Sequence, residues 1–305
     1  MAFGFSKVYL NIMLKQYLKQ NALFRAVFGP LLKVTARLHF TDASFAARCY
    51  RECVLGGVVI LAPRNISGQF EVSATSELAS RVACTGCYEQ DVTEVLNTLK
   101  LKEGMIVNVG ANIGFYSIFL ASAFPKATKV LAIEPNPEAF RFLQKNIIRN
   151  ELSNRIQAIQ TCIGDTDGKV TLSVIAGMPE YSSIGGIAHP GVASRVQASV
   201  EVPIVSLGNM VGDDRVSLIF VDTEGAEETV FGGATNILLR DKPLLYFECS
   251  DTLLRKFGSS TRKLEVKLNG LGYVVRNGLC RQLALQHPYE GEAIAIHKED
   301  LASWS

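Results

Sequence analysis

Two stretches of this chain combine residue types and spacings that could do chemistry. In the first, Val107-Asn108-Val109-Gly110-Ala111-Asn112-Ile113-Gly114 is followed, twenty residues after Gly114, by Glu134 at the end of a second apolar run. The natural reading is a strand, a glycine turn and a helix start, because glycine lets the backbone bend sharply and approach a ligand. An acidic side chain closing the next strand is placed to take both hydroxyls of a ribose. In the second stretch, the apolar run Val216 to Val221 delivers Asp222-Thr223-Glu224-Gly225-Ala226-Glu227. In open α/β sheets ligands bind at the carboxyl ends of such strands.

Glycine spacing separates two cofactor classes. Dinucleotide enzymes favour G-x-G-x-x-G, so that a pyrophosphate sits on bare amides at a helix N-terminus. This chain has Gly110-x-x-x-Gly114 without the first pair. That turn suits a ligand with no phosphate there, such as the amino-acid end of S-adenosylmethionine, with Asn112 and the neighbouring backbone of Gly110 and Ala111 supplying polar contacts. Further along, the run Ile156 to Ile163 alternates as a strand and ends in Gly164-Asp165, where the acid could meet an adenine amine.

Methyl transfer from such a cofactor asks for alignment of an acceptor oxygen and removal of its proton. Three residues are candidates for the base. Asp222 stands at the strand end nearest the expected methyl, with bonding the ligand as its alternative role. Glu224 follows it, with capping the next helix as its alternative. His189 lies in a glycine-rich insert, Ala176 to Gly191, which with Tyr181, Ser182 and Ser183 reads as a lid over the acceptor. Glu248 reads either as a substrate contact or as a buried structural acid.

The elements that must position these groups follow in order. Met105 to Val109 and Lys129 to Ile133 read as buried parallel strands, and Phe115 to Ala123 as the helix between them. Pro137 to Asn150 reads as a helix with proline in its tolerant first turn. Leu244 to Phe247 carries Glu248, and Tyr273 to Arg276 with Ala293 to His297 make a closing pair of strands.

Together these residues resemble the FkbM-type S-adenosylmethionine-dependent methyltransferases. The matching elements are Gly86-Cys87-Tyr88-Glu89, Val109 to Gly114, Glu134-Pro135, Asn146, Gly164-Asp165, Asp222 to Glu227 with Gly233-Ala234, and Glu248, within about Cys84 to His297. The resemblance implies an α/β, class I (Rossmann-like) methyltransferase fold: a doubly wound sheet, mostly parallel with an antiparallel C-terminal strand. It implies O-methylation of a hydroxyl on a sugar, glycolipid or secondary metabolite, hence a small-molecule or glycan acceptor. The cofactor contacts it implies are Glu89, Asn108, Gly110, Ala111, Asn112, Gly114, Glu134, Asp165 and Asp222. Asn108 stands where many relatives of the wider class carry an acid, and Thr223 where an aliphatic residue is commoner.

Composition points the same way. A 305-residue chain with 48% hydrophobic residues can bury a full α/β core, and a net charge of +2 argues against a nucleic-acid partner. Seven cysteines, Cys49, Cys53, Cys84, Cys87, Cys162, Cys249 and Cys280, are odd in number and scattered, which suits a reducing, cytoplasmic setting. Cys84 and Cys87 have CxxC spacing, but nothing completes a zinc site, so no metal is expected. The domain reading is a helical extension with a short β segment over 1–80, followed by a methyltransferase domain over 81–305.

Before Thr41 there are six basic residues and no acid, and Lys7, Lys15 and Lys19 share a stripe apart from Leu10, Leu14 and Leu18. Such a helix lies peripherally on an anionic membrane, docks on its own domain or pairs with a second copy as a homodimer. No apolar stretch reaches the length of a membrane span. Val54 to Val72, with Gly56-Gly57 and Pro63, reads as a hairpin. Two other functions stay open at this stage: a nicotinamide-dependent oxidoreductase, and a non-catalytic membrane-associated binding protein.

Overall fold

The computed structural model describes residues 57–74, 76–175, 182–184 and 197–303. The basic helix read before Thr41, Cys49, Cys53, Tyr181 and His189 lie outside the described residues. The chain divides into two compact units, one ending at Tyr88 and the other beginning at Glu89, with residues 66–68 counted in the second.

In the first unit the expected hairpin is present. Strand β1 (Val58–Leu61) pairs antiparallel with β2 (Phe70–Ser73), Leu61 opposite Phe70. Phe70 and Val72 are fully buried. Helix α1 (Glu77–Thr85) starts where the Ser76 hydroxyl accepts the Ala79 N–H at 3.2 Å and ends at Gly86 in the left-handed region. Both are ordinary cap chemistries for these residue types.

The second unit opens with α2 (Gln90–Asn97) and then alternates strand and helix: β3 (Met105–Val109), α3 (Phe115–Ala123), β4 (Val130–Ile133), α4 (Pro137–Arg149) and β5 (Ile156–Ile159). Every residue of β3 and β4 is buried. Continuous apolar runs of this kind are what a parallel strand covered on both faces requires. Helix α4 begins as its sequence predicts: Asn136 Oδ1 accepts the Glu138 N–H at 2.7 Å, and Pro137 occupies the first turn.

The reading of Ile156 to Ile163 as one strand is corrected by the structure. The chain leaves the main sheet after Ile159, and β6 (Cys162–Gly164) belongs to a second sheet with β7 (Gly168–Ile175), β8 (Ser183–Ile184) and β9 (Gln197–Ser206), in the order β6-β9-β7-β8. Thr161 makes the transfer: its buried hydroxyl donates to the Pro203 carbonyl at 2.9 Å, fastening the strand to β9 instead of β4.

After α5 (Leu207–Val211) come β10 (Val216–Val221), α6 (Glu227–Gly233), α7 (Thr235–Arg240), β11 (Leu244–Ser250), α8 (Asp251–Leu254), α9 (Thr261–Gly270), β12 (Tyr273–Asn277) and β13 (Glu290–His297). The main sheet has seven strands in the order β12-β13-β11-β10-β3-β4-β5. All pairings from β11 to β5 are parallel, while β13 runs antiparallel to both β11 and β12. One sheet face packs Val107, Ile219, Val221, Leu245 and Phe247 against Phe231, Leu238, Leu264 and Leu268. Each such side chain taken fully from water contributes roughly 1.5 to 3 kcal/mol. On the other face Tyr116, Phe220 and Tyr246 form an aromatic series, with ring centroids 4.4 and 5.6 Å apart in turn. This arrangement brings the carboxyl ends of β3, β4, β10 and β11 to one edge.

Candidate active site

The glycine turn after β3 has the expected bend, with Gly110, Asn112 and Gly114 all at positive φ. What approaches the glycines, however, is protein. A Cβ on Gly110 would land on the Asp222 carbonyl, and one on Gly114 would lie 2.7 Å from Leu143 Cδ1. Both glycines therefore serve the crossing of β3 with β10 and of α3 with α4. Of the backbone groups expected to supply polar contacts, the amides are used within the protein. Gly110 and Ala111 both donate to the Ile133 carbonyl at 3.0 and 2.9 Å, Asn112 donates to Glu134 Oε2 at 2.7 Å, and Gly114 donates to the Ala111 carbonyl. The loop retains acceptor capacity, and Asn112 Oδ1 is buried without a partner.

Glu134 closes β4 with 6% of its surface exposed. Its two oxygens accept the Asn112 and Asn136 amides at 2.7 and 2.8 Å. Burial pushes its pKa up to about 7, opposed by those two amides. A carboxylate has about four acceptor positions, so two remain for a ribose diol. Among the donors of S-adenosylmethionine are the ribose hydroxyls and an ammonium, and the half-used Glu134 and the orphaned Asn112 Oδ1 fit them.

The other expected cofactor contacts are placed differently. Asn108 lies one rung below the strand end, enclosed under α3, where its Nδ2 donates to Ser117 Oγ at 2.8 Å and its Oδ1 has no partner. Asp165 is exposed after β6, beside Gly232. Glu89 accepts the Tyr116 hydroxyl. From the stretch read as a lid, Ser182 reaches the site's margin, where Asn136 Nδ2 donates to its Oγ at 2.5 Å. Ser183 is buried and bonds within its own strand.

In the turn after β10, Asp222 donates its amide to the Val109 carbonyl at 3.0 Å, and Glu224 adopts φ 55. The helix that follows has no side-chain cap, and Glu227, its first residue, turns back to hold the turn. Its Oε1 accepts from Thr223 Oγ1, Gly225 N and Thr223 N at 2.9, 3.1 and 3.3 Å. Glu227 is 1% exposed, its Oε2 has no partner, and burial raises its pKa despite the three donors.

Sheet register assembles a row of acids that sequence reasoning did not foresee. Val221 pairs with Phe247, so Asp222 and Glu248 follow on one rung, and Glu248 pairs with Glu292 across β13. Burial pushes Asp222 well above its ordinary value, and repulsion from Glu248, Glu224, Glu89 and Glu227 adds to it. Glu248 and Glu292 are both pushed up to about 8, by burial first and then by neighbouring carboxylates. Beneath them Tyr246 is fully buried with an unpartnered hydroxyl. Among the described residues no group of three His, Cys, Asp or Glu side chains is placed to hold a metal ion.

The strand order, with one antiparallel strand set between the last two, is that of the class I methyltransferase fold, and the cofactor that goes with it is S-adenosylmethionine. The profile described as the methyltransferase FkbM domain matches residues 108–275, more than half of the chain, and the chain belongs to that family. It is 30% identical over 148 residues to Methyltransferase 1 of Beauveria bassiana, covering 43% of this chain and 58% of that protein. It is 27% identical over 154 residues to Methyltransferase sdnD of Sordaria araneosa, covering 42% and 59%. The matches thus span under two thirds of either relative. Among solved structures, FkbM from Methylobacillus flagellatus is similar with a TM-score of 0.43 and 14% identity, over 89% of this chain and 59% of that one. The M. jannaschii TYW2 complex with AdoMet gives 0.40 and 13%, over 79% and 84%. Family membership replaces the nicotinamide-dependent reading. No helix among the described residues is long and apolar enough to cross a membrane.

Proposed function

We propose that this methyltransferase acts on a hydroxyl oxygen of a small molecule or glycan, with Asp222 taking the hydroxyl proton. The observation that carries this reading is the position of Asp222 at the carboxyl end of β10, raised well above its ordinary pKa beside Glu248. Bound S-adenosylmethionine supplies a methyl group on a positively charged sulfur. The residues that would hold it are Glu134, toward the ribose, and Asn112 with the loop carbonyls, toward the ammonium.

The chain's own work is alignment and proton transfer. A carboxylate of raised proton affinity accepts a hydroxyl proton more readily near neutral pH. Proton uptake at Asp222 also replaces, within the pocket, the positive charge lost as the methyl moves. The acidic acceptor side disfavours phosphate-rich partners, which supports a neutral or cationic acceptor over nucleic acid.

The test is incubation with methyl-labelled S-adenosylmethionine and a panel of sugars, glycolipids and hydroxylated secondary metabolites, followed by the chemistry of the labelled product. An ether that survives mild alkali is the expected result. A methyl ester, which alkali cleaves, or a methylamine would overturn the hydroxyl assignment.

A further inference from the structure

The acids beyond Asp222 are more than a single proton transfer needs. Glu248 and Glu292 face each other on adjacent antiparallel strands, a placement in which like charges destabilise the sheet. The charges that act most strongly on each are those of other carboxylates, among them Glu224, Glu227, Glu89 and Asp91. Neither side chain accepts a hydrogen bond or ion pair from any described residue. A second, independent observation lies beneath them. The Tyr246 hydroxyl is wholly buried and unpartnered, and Tyr246 stands two residues before Glu248 on β11 and opposite Ile294, two residues after Glu292, so all three share one face of the sheet. Glu227 Oε2 is a further buried atom without a partner there. A buried polar group left unpaired is costly, and such groups are normally satisfied by a neighbour, water or ligand.

We propose that the acceptor carries an ammonium group close to its reactive hydroxyl, seated between Glu248 and Glu292 while the hydroxyl faces Asp222. This rests on the hydroxyl reading above. A neutral polyol would donate hydrogen bonds to the row but leave its repulsion in place, and an anionic acceptor would add to it. An ammonium supplies three donors and a positive charge, and it relieves the repulsion while the sulfur's own charge disappears during transfer. The Tyr246 hydroxyl then has an oxygen of the acceptor or of Glu292 within its side of the pocket to bond.

The test uses the full chain complexed with S-adenosylhomocysteine, titrated with sugar pairs that differ in charge: glucosamine and glucose, galactosamine and galactose. Each amine is expected to bind at least about 10-fold tighter than its neutral partner, the scale of one charge-assisted hydrogen bond. Equal affinity, tighter binding of the neutral sugar, or no binding by either overturns the proposal. Glu292→Gln should bring the amine to the level of its neutral partner and leave S-adenosylhomocysteine affinity unchanged. Loss of S-adenosylhomocysteine affinity would overturn the proposal by assigning the row to the cofactor's ammonium. The two readings fail separately: ether formation on a neutral sugar without preference removes only the cationic acceptor, and methylation at nitrogen of a preferred amine removes only the hydroxyl assignment.

Discussion

The two ends of the parallel strands treat charge in opposite ways. At the amino ends four acids have a cation: Lys102 meets Asp300 at 2.6 Å, Lys129 meets Asp214 at 2.9 Å, Lys242 meets Glu299 at 2.6 Å, and Arg240 meets Asp241 at 2.7 Å. Lys242 holds Glu299 below its ordinary value. Asp241, though burial pushes it up, is brought down by Arg240 and the Val216 amide. At the carboxyl ends Glu134, Asp222, Glu248 and Glu292 are all pushed up. One edge is finished as protein, while the other keeps unmet acceptors, the condition that marks a ligand site.

The largest effect should come from Asp222→Asn. It keeps shape but cannot readily take a proton, so labelled-methyl assays should show a rate about 100-fold lower or worse, with little change in cofactor affinity. Glu224→Gln should cost little, since Glu227 holds the turn. The reverse ranking would move the base to Glu224, and wild-type rates in both would send the proton by way of His189.

Next in size, Glu134→Ala should weaken S-adenosylhomocysteine binding in calorimetry by roughly 1.5 to 3 kcal/mol, the range for hydrogen bonds to a charged group. Unchanged affinity would take Glu134 out of the site and leave it as a brace for Asn112 and Asn136.

Stability against pH sharpens the contrast further. Folding raises the Glu248 and Glu292 pKa values, so the fold favours their protonated forms. That contribution is complete below the ordinary carboxylate range and is lost as pH rises through about 8. The ligand-free melting temperature should therefore fall between about pH 5 and 8 and level off above, and Glu248→Gln should flatten the fall. A melting temperature rising over that interval in wild type would contradict the raised values. The smallest effect belongs to the opposite edge, where Lys129→Ala should change stability by no more than about 1 kcal/mol, as exposed ion pairs do, and leave methyl transfer untouched.

The residues legible in the sequence are those whose neighbours along the chain reveal them. Glu134 and Asp222 each end an apolar run, and a run of that kind is a buried strand wherever it lies. Glu292 could not be found this way, because its meaning comes from β11, which approaches it from far along the chain. Glu224 and Glu227 look equally able to cap the next helix in sequence, yet that helix has no side-chain cap, and Glu227 turns back onto the Thr223 and Gly225 amides. The second sheet was missed for another reason: β7 is largely open to solvent and carries no continuous apolar signal.

One close approach ties that second sheet to the helix after β10. Gly233, at the end of α6, lies so close to β6 that a Cβ there would land on the Gly164 carbonyl. The backbone of one element thus locates the other without any side chain between them, and Gly233 cannot be exchanged while that spacing lasts. The second sheet and the helix that follows β10 can therefore change their spacing only together, so a site built on β10 inherits its distance from that sheet from two glycine backbones.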